Sequence, residues 1–360
     1  MNANKIIMII MAVGFVIGGI DKIAGNKLGL GKKFEDGIQF LGTATTSMAG
    51  LLCLVPVFSG GIRMFLDSIG LGGMDPAMAA SVLGINMGGY SLAVELAADP
   101  LLGKFSGVVV SSMLGAAITF TIPVGLSIIE KEDRGYFARG LMIGLIPVPV
   151  GCFVAGWMMK IPFTQLLVNE IPVLVLALFL ILGLYFIPDK MTVGFVILGR
   201  TIQILALIGL ILAGFTYISG ITLLPAMQGI LPAMSVICGM CILMAGSFTI
   251  MEIFMKGCKA RLEKAGSKVG LNAASISGML FSFISLLPVF AMMKDMNSKG
   301  KTVCTAFFVG STCVFGGHLS YVAAEAPDFM VPMIVGKLVA AVLGALLALA
   351  VVNKTEESYQ

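Results

Sequence analysis

The run LLVNEIPVLVLALFLILGLYFIP, residues 166–188, constrains this chain most, because one glutamate is the only charge in an otherwise oily stretch. A helix rises about 1.5 Å per residue, so about 20 apolar residues match the hydrocarbon thickness of a bilayer. Similar runs recur from one end of the chain to the other. Of the 360 residues, 58% are hydrophobic and only 12% are charged, whereas a soluble domain carries about 25% charge. Two soluble domains would fit this length but could not cover their surfaces. The chain reads as an all-α polytopic membrane protein.

Apolar periodicity places about eleven transmembrane helices near 5–20, 37–58, 76–97, 102–129, 136–159, 168–186, 202–218, 232–255, 271–293, 302–323 and 331–351. Charged connections such as EKEDRGYFAR and KGCKARLEKAGSK separate them. Residues 1–353 then form one transmembrane transporter domain, followed by a polar tail at 354–360. Read with eleven crossings, the Lys and Arg residues divide almost evenly between the two sides and set no orientation. The net charge of +4 sits on short connections without interleaved aromatics, so nucleic acid is not an expected partner. The lipid bilayer and a small-molecule substrate are the expected ones, and homo-oligomerisation is left open.

Two stretches can be laid over one another, with Ser112 meeting Ser277, Pro123 meeting Pro288, Gly135 meeting Gly300 and Gly151 meeting Gly316. With small shifts, Pro76 meets Pro232, and Gly89 and Glu95 meet Gly246 and Glu252. The copies fall at approximately 5–160 and 166–323, with an extra helix at 331–351. An odd number of crossings between them gives an internal inverted repeat, the arrangement of secondary transporters.

Candidate site residues follow from the interruptions. FTIPVG (120–125) and SLLPVF (285–290) are expected to be Pro-broken helices, since proline removes a helical N–H and clashes with the preceding turn. Freed backbone groups in a bilayer must face protein, water or a ligand. This points to Thr121, Pro123, Ser285 and Pro288. LGINMGGYSLAVEL (83–96) carries Asn86, Gly88, Gly89, Tyr90 and Glu95 in an apolar context; an unwound elbow lining a cavity and close packing through small residues are both compatible with it. Glu95, near the end of its segment, suits either a solvated interface or a ligand. His318, the lone histidine, could bind an amino or hydroxyl group, relay protons, or pack near the interface. Walker A, H-E-x-x-H and aspartate-rich diphosphate motifs are absent, so no enzyme, cofactor or metal site is expected. The pair Cys238 and Cys241 lies in an apolar run and reads as small packing residues.

NMGGYSLAVELA, FTIPVGLSIIEKEDRGYFARGL, PVGC, LYFIPDKM, PVFAMMKDMNSKGK, GGHLSYVAA and VPMIVGKL, in this order, resemble the ethanolamine-utilisation permease family. The resemblance implies a multi-pass protein of the bacterial inner (cytoplasmic) membrane that facilitates ethanolamine uptake. Gly88, Gly89, Glu95, Pro123, Pro288, His318 and Lys337 match the family pattern. In its better-known members an aspartate stands at the place of Asn86, a pair of asparagines at Ser285 and Leu286, and an aspartate at Gly317. An amine with a pKa near ~10 is cationic at neutral pH, and fewer carboxylates here make a related amino alcohol or a neutral small alcohol alternative cargoes. The expected mechanism is a secondary transporter or facilitator for ethanolamine or a close analogue. The alternatives are a pore-like channel for a small neutral alcohol and, from a different class, an intramembrane enzyme acting on lipid headgroups.

Overall fold

The computed structural model describes residues 2–70 and 73–357, without the side chains of Ile69, Asn86 and 354–357. The described residues are helical and hold no strand. The helices are α1 (Ala3–Ile23), α2 (Leu30–Ser68), α3 (Tyr90–Leu96), α4 (Pro100–Ile128), α5 (Arg134–Leu145), α6 (Val148–Met158), α7 (Phe163–Phe186), α8 (Pro188–Ser219) and α9 (Ile230–Ser267). They continue as α10 (Ala273–Ser282), α11 (Leu287–Ala291), α12 (Ser298–Ser311), α13 (Gly317–Glu325) and α14 (Met330–Glu357). Among the described residues, eight helical stretches are long and apolar enough to cross a membrane. A further crossing is assembled from α12 and α13, joined by a turn at 312–316.

Side-chain contacts fix which ends lie together. Asn4 Nδ2 donates to the Asp328 carbonyl at 2.7 Å, and Lys104 Nζ lies 5.2 Å from the centre of the Phe329 ring. The starts of α1, α4 and α14 therefore share one end. At the other, Lys299 Nζ donates to Asn353 Oδ1 and Lys301 Nζ to Asp133 Oδ1, each at 2.5 Å, while Lys256 Nζ donates to the Leu28 carbonyl at 2.9 Å. We call this the basic end.

Two of the eleven expected spans, 76–97 and 271–293, turn back instead of crossing. In the first, a tight 3-10 segment (Pro76–Val82) runs inward, the chain bends at 83–89, and α3 returns. The Asp75 carboxylate accepts from Ala77 N–H at 2.9 Å, capping the inward limb, and from Asp99 N–H at 2.8 Å, tying both limbs at the opposite end. In the second, α10 enters and α11 leaves at the basic end. There Asn272 Oδ1 caps Ser275 N–H at 3.1 Å, and its Nδ2 donates to the Asp295 carbonyl at 2.8 Å. Asn297 Nδ2 donates to the Gly270 carbonyl at 2.7 Å. Each hairpin is thus bracketed by short polar side chains that cap a helical limb and clamp the chain on its return.

These hairpins enter from opposite ends. Of the segments joined by the offset of 165 residues, those leading from Pro123 and Pro288 and those from Gly135 and Gly300 run the same way, whereas α4 at Ser112 and α10 at Ser277 run oppositely. Cβ atoms added at Gly140 and Gly144 of α5 would meet Thr305 and Ala306 of α12 in parallel register, with Asp133 and Lys301 paired at their common start. Pro76 and Pro232 also part company, because the first heads a broken hairpin and the second lies in the uninterrupted α9.

The two expected proline breaks differ. At 283–286 the chain leaves the helix, and α11 starts afresh with Pro288 in its first turn. At Thr121–Pro123 it does not: α4 runs on through wide, π-type turns over Phe105–Gly115 and Ala117–Thr121, and Pro123 heads a final α-helical stretch. The widened turns absorb the missing N–H, and a proline in a first helical turn costs no hydrogen bond.

Candidate functional site: a cavity between hairpin tips

The tips of the two hairpins line one cavity inside the bundle, the first through Met87 and the second through Ile284 and Ser285. Met87 and Gly88 leave helical geometry, with Gly88 at φ 86°, a conformation open to glycine. Of the two readings the sequence left open for this stretch, the backbone here takes the form of an unwound elbow. Gly84 N–H donates to Thr119 Oγ1 of α4 at 3.2 Å. The second tip is pinned to the turn between α12 and α13, where Cys313 N–H donates to the Ser282 carbonyl and Phe315 N–H to the Phe283 carbonyl, both at 2.8 Å. The proline-headed ends of α4 and α11 pack against one another.

A cavity of about 640 Å³ lies between these elements. Its mouth faces the basic end, where Lys33, Asp36, Ser127 and Arg200 line it. Its walls are mostly apolar, with Phe40, Phe120, Phe248, Phe281 and Met244, and polar groups come from Thr43, Ser47, Thr119, Gln203 and Ser285. Met87, Cys313, Gly317 and His318 lie at the hairpin tips and the start of α13, at its inner end. Asp36 is the only carboxylate among the described lining residues, and it pairs with Lys33 at 3.7 Å.

Of the residues expected at the site, Pro123, Ser285, Pro288 and His318 line the cavity. Gly88 and Gly89 shape the elbow without lining it. A Cβ at Gly89 would stand 2.5 Å from the Leu83 carbonyl oxygen, so the second glycine serves close packing. Tyr90 does not offer its ring to the cavity: it packs edge-on against Tyr321 at 5.8 Å, and its hydroxyl donates to the Glu325 carbonyl at 3.3 Å. Glu95 is exposed on the returning limb, remote from the chamber, and its carbonyl accepts from Arg63. Thr121 is buried with its hydroxyl unpartnered, while Thr119, two residues earlier, faces the cavity; the wide turns rotate the helix face away from a regular period. The side chain of Asn86 lies outside the described residues.

Sequence reasoning missed Lys337 as a functional group, although its family match was noted. It lies in the apolar run VPMIVGKLVAAVLG of α14 and is 0% exposed. Its Nζ donates to the Ser112 carbonyl at 2.6 Å and stands 3.3 Å from His318 Nδ1, so it lies behind the histidine at the inner end of the cavity. A charged residue inside an apolar span was itself the available signal. Arg200 lines the mouth as well.

The model of the family "Ethanolamine utilisation protein, EutH" matches residues 3–351. The chain belongs to the EutH family. It is 38% identical over 356 residues to "Probable ethanolamine permease EutH" of Listeria monocytogenes, covering 98% of this chain and 95% of that one. The Salmonella typhimurium protein of the same name is 32% identical, covering 99% of this chain and 97% of its relative. A Bacillus subtilis relative, "Uncharacterized protein YxeR", is 35% identical over 96% of this chain and 94% of its own length. No solved structure matches this EutH family member.

Proposed function

We propose that this chain is a permease that carries ethanolamine, or a closely related small amino alcohol, across the bacterial cytoplasmic membrane. The observation that carries the reading is the 640 Å³ cavity, walled by interrupted helices, open at the basic end and ending at His318 beside the hairpin tips. Broken backbone in a bilayer is stable where it lines such a chamber. The names of the Listeria and Salmonella relatives agree with it.

The hairpins also bear on orientation. With 76–97 and 271–293 turning back, the basic end gathers Lys22, Lys27, Lys32, Lys33, Lys131, Arg134, Arg139, Lys190 and the cluster Lys256, Lys259, Arg261, Lys264 and Lys268, with Lys294, Lys299 and Lys301. The opposite end keeps Lys5, Arg63, Lys104 and Lys160. The excess of Lys and Arg marks the cytoplasmic side, so the cavity opens inward and this is an inward-facing form. Import then requires the hairpin tips to part on the other side, and alternating access describes that motion.

Purified protein in liposomes should take up radiolabelled ethanolamine faster than empty liposomes and show trans-stimulation in counterflow. Uptake equal to that of empty liposomes rejects the reading, and uptake without trans-stimulation converts it to a pore. The lack of an unpaired carboxylate among the described cavity-lining residues favours a second cargo, a neutral small alcohol. Labelled propane-1,2-diol in the same assay tests it.

A further inference from the structure

The cavity is framed by two helices that meet at one point and part below it. A Cβ at Gly50 of α2 would fall on the Ala206 carbonyl oxygen of α8, and one at Gly209 on the Gly50 carbonyl oxygen, so no side chain separates the two backbones there. Just before this crossing α2 widens into a π-type turn at Thr45–Ala49, a loosened stretch that suits a hinge. Toward the basic end the two helices join different neighbours. Cβ atoms at Gly31 and Gly37 of α2 would meet Lys22 of α1 and Ala245 of α9, whereas one at Gly199 of α8 would touch Pro123 of α4. The mouth of the cavity is the gap between these two groups.

Across that gap, Asp36, Phe40, Thr43 and Ser47 recur at helical spacing along one face of α2, and Arg200 and Gln203 line the wall that α8 provides. Two of these are ions of opposite sign. Asp36 pairs only with Lys33 of its own helix, at 3.7 Å, and the Arg200 guanidinium has no ion pair or hydrogen bond among the described residues. Helical side chains lean toward the N-terminus, and both helices start at the basic end, so the long arginine reaches toward the level of Asp36. We infer that Asp36 and Arg200 are the two halves of a cytoplasmic gate, which closes the cavity by rocking α2 against α8 about the Gly50–Gly209 crossing. The inward-facing form holds this gate open, with both ions in water, where an ion pair stabilises little. Closure expels that water, and an arginine left there without a carboxylate is costly. The complete pair therefore favours the shut mouth, sealing the inner side while the hairpin tips part on the other.

The gate rests on the proposed transport, so one of its tests needs no cargo. Asp36→His combined with Arg200→His gives zinc two imidazoles to bridge when the mouth shuts. Ser285→Cys, in a background lacking Cys238 and Cys258, adds a thiol at the cavity wall that an impermeant methanethiosulfonate labels from the cytoplasmic side. With zinc at roughly ten times its dissociation constant, labelling in the double histidine variant should slow about tenfold, because a ligand of the closed form alone shifts the equilibrium by that factor. Either single histidine variant should label at one rate with and without zinc. Unchanged labelling in the double variant overturns the gate. In counterflow of labelled ethanolamine, Asp36→Asn should be about tenfold slower, since closure then traps an unpaired guanidinium. Adding Arg200→Gln should restore most of the rate, which a carboxylate serving only to hold Lys33 would not allow. Full-speed counterflow in Asp36→Asn, or no recovery in the double variant, also overturns the gate. Zinc protection in a protein that carries no ethanolamine rejects the cargo and upholds the gate.

Discussion

The backbone N–H of Cys313 donates to the carbonyl of Ser282 at 2.8 Å, joining the tip of one half-span to the break in the next. Each segment leaves its helix just where the other can satisfy part of its freed backbone, in a place where water is scarce. The same crossing sets the inner end of the cavity, because His318 follows that turn by a few residues. Architecture and site are therefore one feature.

That crossing depends on close approach at Gly316. A Cβ there would stand 2.2 Å from the Ile284 carbonyl oxygen, a fixed backbone atom. Gly316→Ala should push the hairpin tip away and lower uptake at least tenfold, with a stability loss of about 1–3 kcal/mol. Transport and thermal melting of the variant check this; wild-type uptake would show that the contact is not needed.

The hairpin topology predicts labelling from one side. Ser267→Cys and Lys299→Cys, in a background lacking Cys238 and Cys258, should both react with an impermeant maleimide from the cytoplasm, and Lys160→Cys from outside. Eleven true crossings would place Ser267 and Lys299 on opposite sides, so labelling of the two from different faces refutes the hairpin at 271–293.

Asp75 clamps the other hairpin through Ala77 and Asp99 N–H groups. Asp75→Ala removes a helix cap and leaves backbone donors unpaired, so stability should fall by about 2 kcal/mol. Asp75→Asn, which keeps an acceptor oxygen, should recover roughly half of the melting-temperature loss.

Lys301 and Asp133 are 14% and 7% exposed and sit 2.5 Å apart, holding the starts of α5 and α12 together. Removing one partner of such a pair leaves a poorly solvated charge, at a cost of about 3 kcal/mol. Asp133→Leu alone should therefore melt earlier than Asp133→Leu combined with Lys301→Met. Equal melting of the single and double variants would mean that the pair is well solvated.

Much of this protein follows from the order of its residues. Sparse charge and long oily runs make a helical membrane protein, since a bilayer leaves backbone groups no partner outside the helix. Gly88 and the stretch before Pro288 mark real interruptions because their chemistry weakens helices locally, and a lone histidine among them marks the chamber. What a run of some twenty oily residues cannot state is whether it crosses or doubles back. Hydropathy is the same for both, and the decision falls to Asp75 and Asn272 clamping distant backbone. Likewise, which side chains face the cavity is set by neighbouring helices: Tyr90 turns to Tyr321, wide turns exchange Thr121 for Thr119, and Lys337 reaches Ser112 and His318 only because folding brings α14 against α4 and α13. Local chemistry determined where the helices yield, and only packing decided what they yield to.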